Sequence, residues 1–331
     1  MAMNQKIIQK IKEANLTGRG GAGFPTYLKW EAVKNIVADK KYVVANGSEG
    51  EIDIWKDGYL LEKHPGEIIN GVKLAIETVK AEKGYIYLRH DYFKRFRKKL
   101  IEIINKEKIS IEIFKETGGY IGGEETALVN SLEGKRCEPR IKPPQILEKG
   151  LFDCPTLVNN IETLYWVAKI AKGEYGDNRF YSIGGQVDCP GVYELSIKFS
   201  AKEILEKTKN YPNFPFFLQV GGGSSGEILT EQEIDQPVSG AAGIKVFHLK
   251  KTKLLELVQR WSVFFLKESC GNCLPCREGV YRLQEYFKNS KLDKKIIEEI
   301  FFILKQTSFC GFGRSVPIPF ETLINKIWKK K

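Results

Sequence analysis

Histidine is scarce in this sequence, three in 331 residues, and that scarcity removes several chemistries at once. His64, His90 and His248 stand apart from one another and fall in no H-E-x-x-H pattern. Each reads as a solvated or core side chain, and a histidine-built metallohydrolase is excluded. The G-x-S-x-G elbow of a serine hydrolase is also missing. No stretch approaches the roughly eighteen consecutive apolar residues of a membrane-spanning helix. The opening residues, Met1 to Lys6, show no signal-peptide pattern. Cysteine is too sparse for a disulfide framework, and Cys137, Cys154 and Cys189 are scattered singly along the chain. A reducing, cytoplasmic setting is expected. No internal repeat or low-complexity tract occurs.

What is present is a globular composition, 42% hydrophobic with a mean hydropathy of -0.29, on a chain long enough for two or three cores. The net charge is +11 and the pI about 9.1. A nucleic-acid binder has such a balance, and so does a protein that docks on acidic partners. Here the cations are spread through helical segments such as Lys94–Lys99 and the tail Lys329–Lys331. That pattern reads as solvated helix faces, so nucleic acid is not an expected partner.

The densest chemistry lies at Cys270, Cys273 and Cys276, a C-x2-C-x2-C run completed by a remote Cys310. Three thiolates this close must converge on one point, and Gly271 and Pro275 supply the irregular backbone that lets them. Three clustered ligands plus one distant ligand is the iron–sulfur habit, whereas structural zinc takes two separated pairs. Zinc and unliganded thiols remain the alternatives on spacing alone.

Along the chain, a short amphipathic helix over 4–14 leads to Gly18-Arg-Gly-Gly-Ala-Gly-Phe-Pro-Thr26 and a second helix from about Tyr27. Gly18, Gly20 and Gly23 satisfy G-x-G-x-x-G, but a helix precedes them where a dinucleotide fingerprint needs a strand. Such glycines still let backbone N–H groups approach an anion at a helix start. Strands at 41–45, 85–88 and 109–114, alternating with helices at 65–80 and 91–105, predict a parallel sheet. The loops 46–51 and 117–125 then fall at the carboxyl ends of its strands, where ligands bind. Glu124 and Glu125 also have a plain reading, as acids that complement a helix dipole. Asn159 and Asn160 lead into a helix over 161–171 as its cap. Residues 179–249 read as strand, turn, strand, helix, strand, a glycine run at 221–226 and a last strand. The run is not followed by G-K-[ST], so it is no P-loop. From 252 onward the chain reads as helical.

Taken together, Gly18–Thr26 with Lys29 and Trp30, Gly122–Leu128, Glu133–Arg136, Pro139–Pro144, Asn159–Asn160, the Ser269–Gly279 cluster and Ser308–Cys310 occur in the order of one family. The chain resembles the NADH-oxidising flavoprotein subunit of respiratory complex I, the 51-kilodalton type, and the diaphorase subunits of NAD-linked hydrogenases and formate dehydrogenases. That resemblance implies an α/β FMN-binding domain with a Rossmann-like parallel sheet over 1–175. It implies a soluble-ligand-binding β-grasp module over 176–249 and a helical [4Fe–4S] domain over 250–331. It implies FMN surrounded by Gly18, Arg19, Gly20, Lys29, Asn46, Gly123, Glu124, Asn159 and Asn160. Phe24, Glu51, Glu125 and Lys142 should lie toward the nucleotide NAD(H), and Cys270, Cys273, Cys276 and Cys310 should hold the cluster. Hydride would pass from NADH to the flavin and single electrons onward to the cluster. Expected partners are a thioredoxin-like [2Fe–2S] subunit and a further iron–sulfur subunit, in a complex peripheral to the membrane. No side chain of the protein is expected to act as a catalytic acid or base.

Departures from that family concentrate at the nucleotide. Ser48 stands where the family has an acid, Ile52 and Asp53 replace a Pro-Gly turn, and Tyr27 replaces a glycine. Ala32 and Gln145 replace the aromatics that flank adenine. Weak NADH binding is the expectation, with Tyr27, Trp55 or Phe152 as substitute stacking faces. The competing reading is a relay or docking subunit that has lost nucleotide binding.

Overall fold

The computed structural model describes residues 2–289 and 293–328. The lysine tail at 329–331 lies outside the described residues. Two compact units emerge. The first comprises the residues up to Gly50 and Trp55–Phe180; the second comprises Glu51–Ile54 and the chain from Tyr181 onward.

In the first unit, α1 (Ala2–Glu13) and α2 (Thr26–Asn35) precede β1 (Tyr42–Gly47). Then follow α3 (Lys56–Lys63), α4 (Pro65–Val79), β2 (Lys83–Leu88), α5 (His90–Glu107) and β3 (Ile111–Lys115). A short 3-10 turn at Gly119–Gly123 leads to α6 (Glu125–Leu132), α7 (Ile146–Lys149), β4 (Thr156–Asn160) and α8 (Ile161–Lys172). The four strands form a parallel sheet in the order β3-β2-β1-β4. Val43, Val44 and Ala45 are wholly buried in its centre, as a strand covered on both faces requires. Pro65 opens α4 at its first turn, where a missing N–H costs nothing, and Lys80 closes it in a left-handed conformation. In α5, Tyr92, Phe96, Leu100 and Ile104 recur every fourth residue and are buried. Lys94, Arg95, Arg97, Lys98 and Lys99 are exposed between them, so the basic run is a solvated helix face.

The second unit holds β5 (Asn178–Gly185, its first three residues in the first unit), β6 (Gly191–Ser196), α9 (Ala201–Lys207), β7 (Phe216–Gly221), β8 (Glu227–Thr230) and β9 (Gly243–His248). These strands order as β6-β5-β9-β7-β8, with β5 parallel to β9 and β7 antiparallel to both its neighbours. Among the described residues, the elements that follow are helices: α10 (Leu254–Glu268), α11 (Leu274–Lys288), α12 (Lys294–Thr307), α13 (Gly311–Ser315) and α14 (Pro317–Lys326). Phe320 is their hub, ringed by Trp261, Phe265, Phe287 and Phe301 at centroid distances of 5.2 to 6.1 Å. The helices join the sheet through α14, where the Ile228 N–H donates to Thr322 Oγ1 at 2.9 Å. Within the described residues no helix is long and apolar enough to cross a membrane.

Candidate functional site

The strand order reverses direction once in the first sheet. The chain lays down β1, β2 and β3 outward, then returns to place β4 on the other side of β1. Such a switch leaves a crevice beyond the carboxyl ends of the two strands. Asn46 of β1 lies level with Asn160 of β4, and Ala45 with Asn159. The Asn46 amide donates to the Gly123 carbonyl at 2.9 Å, tying β1 to the 3-10 turn. Asn160 caps α8 by accepting from the Glu162 N–H at 2.9 Å, and its amide donates to the Asn46 carbonyl at 3.2 Å. Asn159 accepts from the Trp30 indole at 3.0 Å, which fixes α2 over the same end. Four segments far apart in sequence therefore meet at the switch point.

The glycine loop closes on itself before α2: Gly18 N–H donates to the Phe24 carbonyl at 2.8 Å, and Thr26 N–H to that of Leu16 at 2.9 Å. Residues 20–24 are all exposed, so their backbone is open to a ligand. Arg19 is not. It is buried, with its guanidinium on Tyr175 Oη at 2.9 Å and its N–H on Thr163 Oγ1 at 2.9 Å. The Arg19 side chain thus anchors the loop from beneath. Glu124 is the N-cap of α6, accepting from the Thr126 and Ala127 N–H groups. The plain reading of that acid is therefore part of its role.

Charges gather on the same side. Lys29 pairs with Glu125 at 2.8 Å, and Lys142 reaches Glu125 at 3.1 Å and Glu124 at 3.3 Å. Burial raises the Glu125 carboxyl, yet Lys29 and Lys142 hold it below its usual range. The Lys29 ammonium also lies 6.0 Å from the centre of the half-exposed Phe24 ring. Exposed backbone donors, a helix start and two cations suit an anionic flavin nucleotide, so the residues present fit FMN.

A buried polar network runs beneath, and none of the motifs pointed to it. Lys56 bonds Asp57 at 2.6 Å and Glu162 at 3.1 Å, all three almost without exposure. Asp57 in turn accepts from Asn160 Nδ2 at 2.7 Å. Glu49 accepts from the Asp57 and Gly58 N–H groups and from Tyr92 Oη at 2.7 Å. Burial and the neighbouring Asp57 push the Glu49 carboxyl up to about 7, against the pull of Lys56 and of these donors. For Lys56 burial works against the charge, but Asp57, Glu162 and Glu49 outweigh it and hold the ammonium above its ordinary range. Its one sequence-level trace is a Lys-Asp pair opening a helix.

Glu51 is held by hydrogen bonds within the second unit. It belongs to the second unit, and its carboxylate is taken up by the glycine run there. Oε2 accepts from Ser224 N–H at 2.9 Å and Ser224 Oγ at 2.5 Å, and Oε1 accepts from Ser225 Oγ. A Cβ at Gly222 would lie 2.5 Å from Glu51 Cδ, and one at Gly223 would lie 1.5 Å from the Ile52 carbonyl oxygen. The glycines are there to admit this segment. Asp53 completes the attachment, paired with Lys245 and, at 3.2 Å, with Arg260. Phe152, a candidate stacking face, packs its ring edge-on to Tyr42 at 5.9 Å, at the start of β1. That is the opposite end of the sheet from the crevice. Tyr27 carries the Lys12 ammonium 5.4 Å from its ring centre, and Trp55 is half exposed.

The four cysteines lie in the second unit, with Cys273 as the N-cap of α11 and Cys310 as that of α13. Burial pushes the Cys276 thiol up to about 12; the Ser269 hydroxyl works the other way, and Cys273, Cys310 and Cys270 add to the rise. All four sulfurs therefore share one neighbourhood. Among the described residues no group of three or more His, Cys, Asp or Glu is poised around a single metal ion. The convergence on a single point that the spacing suggested is not seen; ligands of a [4Fe–4S] cluster each meet a different iron and surround a larger centre. Thiols that oppose one another's ionisation need a cationic centre to ionise together, so this donor set fits such a cluster.

Two stretches match known family descriptions: residues 11–169 the Nuo51 FMN-binding domain, and residues 256–330 the NADH-ubiquinone oxidoreductase-F iron–sulfur binding region. The second of the NADH-quinone oxidoreductase F subunits of Rhizobium meliloti (strain 1021) is 34% identical, over 93% of this chain and 83% of that protein. The corresponding F subunit of Escherichia coli (strain K12) is 32% identical, over 96% and 82%. The alpha subunit of the NAD-reducing hydrogenase HoxS of Cupriavidus necator is 32% identical over 97% of this chain, which spans 59% of it. Among solved structures, the air-oxidised NAD+-reducing [NiFe]-hydrogenase superposes with a TM-score of 0.91 at 30% identity. This chain covers 61% of that hydrogenase chain, and 97% of its own length is matched. The chain belongs to the NADH-quinone oxidoreductase-F family of FMN-binding and iron–sulfur proteins.

Proposed function

We propose that the chain is an electron-transfer subunit of a larger oxidoreductase, operating between NAD(P)H, FMN and a [4Fe–4S] cluster. The observation that carries this reading is the crevice at the β1–β4 switch, with Asn46, Gly123 and Asn160 at its floor and Lys29, Glu125 and Lys142 at its rim. A bound FMN supplies the conversion of two-electron into one-electron chemistry. Around it, the 20–24 backbone offers donors to the phosphate, and Lys29 balances negative charge on the reduced ring system. Glu125 holds Lys29 and Lys142 in place and stays ionised while doing so. The buried Lys56–Asp57–Glu162 network keeps Asn160 oriented.

The division of labour proposed here runs over three domains. The α/β portion to about 175 takes the flavin, 176–249 forms a β-grasp module, and 250–331 is a helical cluster domain. Support for the β-grasp reading is the order β6-β5-β9-β7-β8 with its first and last strands parallel. Partners of the proposed complex are a thioredoxin-like [2Fe–2S] subunit and a further iron–sulfur subunit, in the cytoplasm and peripheral to the membrane.

Nucleotide affinity should be weak. Ala32 and Gln145 offer no aromatic face, and stacking contributes on the order of 1–3 kcal/mol per base. Glu51 is engaged elsewhere. Losing one or two stacks weakens binding by roughly tenfold to several hundredfold. Anaerobic titration of the flavin-loaded chain with NADH, followed by flavin bleaching, tests this. Half-bleaching well above micromolar NADH is expected; full bleaching at stoichiometric NADH would show that another face supplies the stack. No bleaching by NADH or NADPH, with ready reduction by a low-potential donor, would favour a relay without nucleotide chemistry.

A further inference from the structure

Ser308 closes α12 two residues before Cys310. Its backbone is fully engaged: the N–H donates to the Leu304 carbonyl at 3.3 Å, and its carbonyl accepts from Arg314 Nε at 2.9 Å. The hydroxyl is in a different situation. Ser308 is 1% exposed, and its Oγ has no hydrogen-bond partner. A serine in a helix can back-bond to the carbonyl four residues earlier. Its neighbour Thr307 does so, with Oγ1 on the Ile303 carbonyl at 2.7 Å. Ser308 has the same option in Leu304 and does not take it.

The hydroxyl lies near Cys276, across Gly313. A Cβ built at Gly313 would stand 2.4 Å from Ser308 Oγ and 3.1 Å from Cys276 Cβ. Ser308 and Cys276 therefore flank one glycine, and only a residue without a side chain leaves room between them. On the far side, Ser269 Oγ stands 3.5 Å from Cys276 Sγ. A buried polar atom without a partner points to a group that completes it. The ligand residue nearest to it across Gly313 is Cys276.

We propose that the Ser308 hydroxyl donates a hydrogen bond to a sulfur of the cluster held by Cys270, Cys273, Cys276 and Cys310, and so raises the cluster's reduction potential. The inference rests on the reading of those cysteines as cluster ligands. A donor to thiolate or sulfide draws electron density away from iron and stabilises the added electron. Ser308 acts through the sulfur and is a positioning residue; it binds no iron.

The test is Ser308→Ala in the full chain, loaded and purified anaerobically, with the cluster potential read by a redox titration of its reduced-state magnetic-resonance signal. Iron content should match the parent, and the reduction equilibrium should become about tenfold less favourable, a shift of about 59 mV to lower potential. Exchange into D2O should give the parent one deuteron coupling to the reduced cluster that the variant does not show. An unchanged potential in a fully loaded variant overturns the proposal, because a buried water or a packing role would then be all that Ser308 serves. Failure of the variant alone to load iron also overturns it, since a tuning donor is not needed for assembly. A parent chain that takes up no iron removes the cluster reading itself, an outcome separate from either.

Discussion

Glu49 sits just past β1 with its carboxylate out of water, held by two backbone N–H groups and the Tyr92 hydroxyl. Its carboxyl is pushed from an ordinary value of 4.5 up to about 7. Between those values the folded chain keeps a proton that the unfolded chain has released. The stability this contributes is complete below the unfolded value and is lost as pH rises through about 7. Glu49→Gln mimics the protonated form and should remove that dependence. Relative to the parent, the variant should gain on the order of 2 kcal/mol between pH 5 and pH 8. Unfolding free energies at four pH values in that window measure it; parallel curves for the two proteins would contradict the shift. Motifs did not single out Glu49, because its raised carboxyl comes from burial and from Asp57, an environment that only folding creates. The residues that motifs did single out have local work as well. Glu124 caps α6 and Asn160 caps α8, while Arg19 faces inward.

Helices and strands with a clean period were legible in the sequence. Strand β1, helix α4 and the basic α5 fall within two or three residues of their expected bounds, since buried β-branched runs and i, i+4 spacing reveal themselves locally. Two strands were not expected at all. Strand β4 is a five-residue segment, Thr156–Asn160, behind Pro155 and ending in two asparagines, which looks like a loop until β1 pairs with it. Strand β8 has only four residues and follows the glycine run, so it was absorbed into that loop. Close packing of α4 on α8 was equally hidden. Gly71 reads as a weak point in a helix, yet a Cβ there would lie 2.0 Å from the Leu164 carbonyl oxygen of α8. Gly71→Ala should therefore destabilise by about 1–3 kcal/mol despite the better helix propensity of alanine. Chemical denaturation of the two proteins decides it. A more stable variant would mean that α4 can move away from α8 without penalty.

For the molecule as a whole, the path of the chain matters more than any one element. Glu51–Ile54 belongs to the second unit, although Gly50 and Trp55, its neighbours in sequence, belong to the first. Four consecutive residues thus make up a separate piece of the second unit, received by Gly222–Ser225, by Gly243 against Ile54 and by Lys245 against Asp53. The family's order of motifs implied a nucleotide role for Glu51, because sequence gives a residue's place along the chain and not the unit it folds into. We propose that its work is that of an anchor, on the strength of its bonds to Ser224 and Ser225. Glu51→Ala would leave the Ser224 and Ser225 donors without their carboxylate. A bond to a charged group contributes about 1.5–3 kcal/mol. Amide hydrogen exchange should therefore quicken in β7 and β9, which border that loop, while β1 and β2 in the other unit keep their protection. NADH affinity should change less than tenfold. A variant with unaltered exchange in β7 and β9 but a collapsed NADH affinity would restore Glu51 to the nucleotide, and the anchor reading would fall.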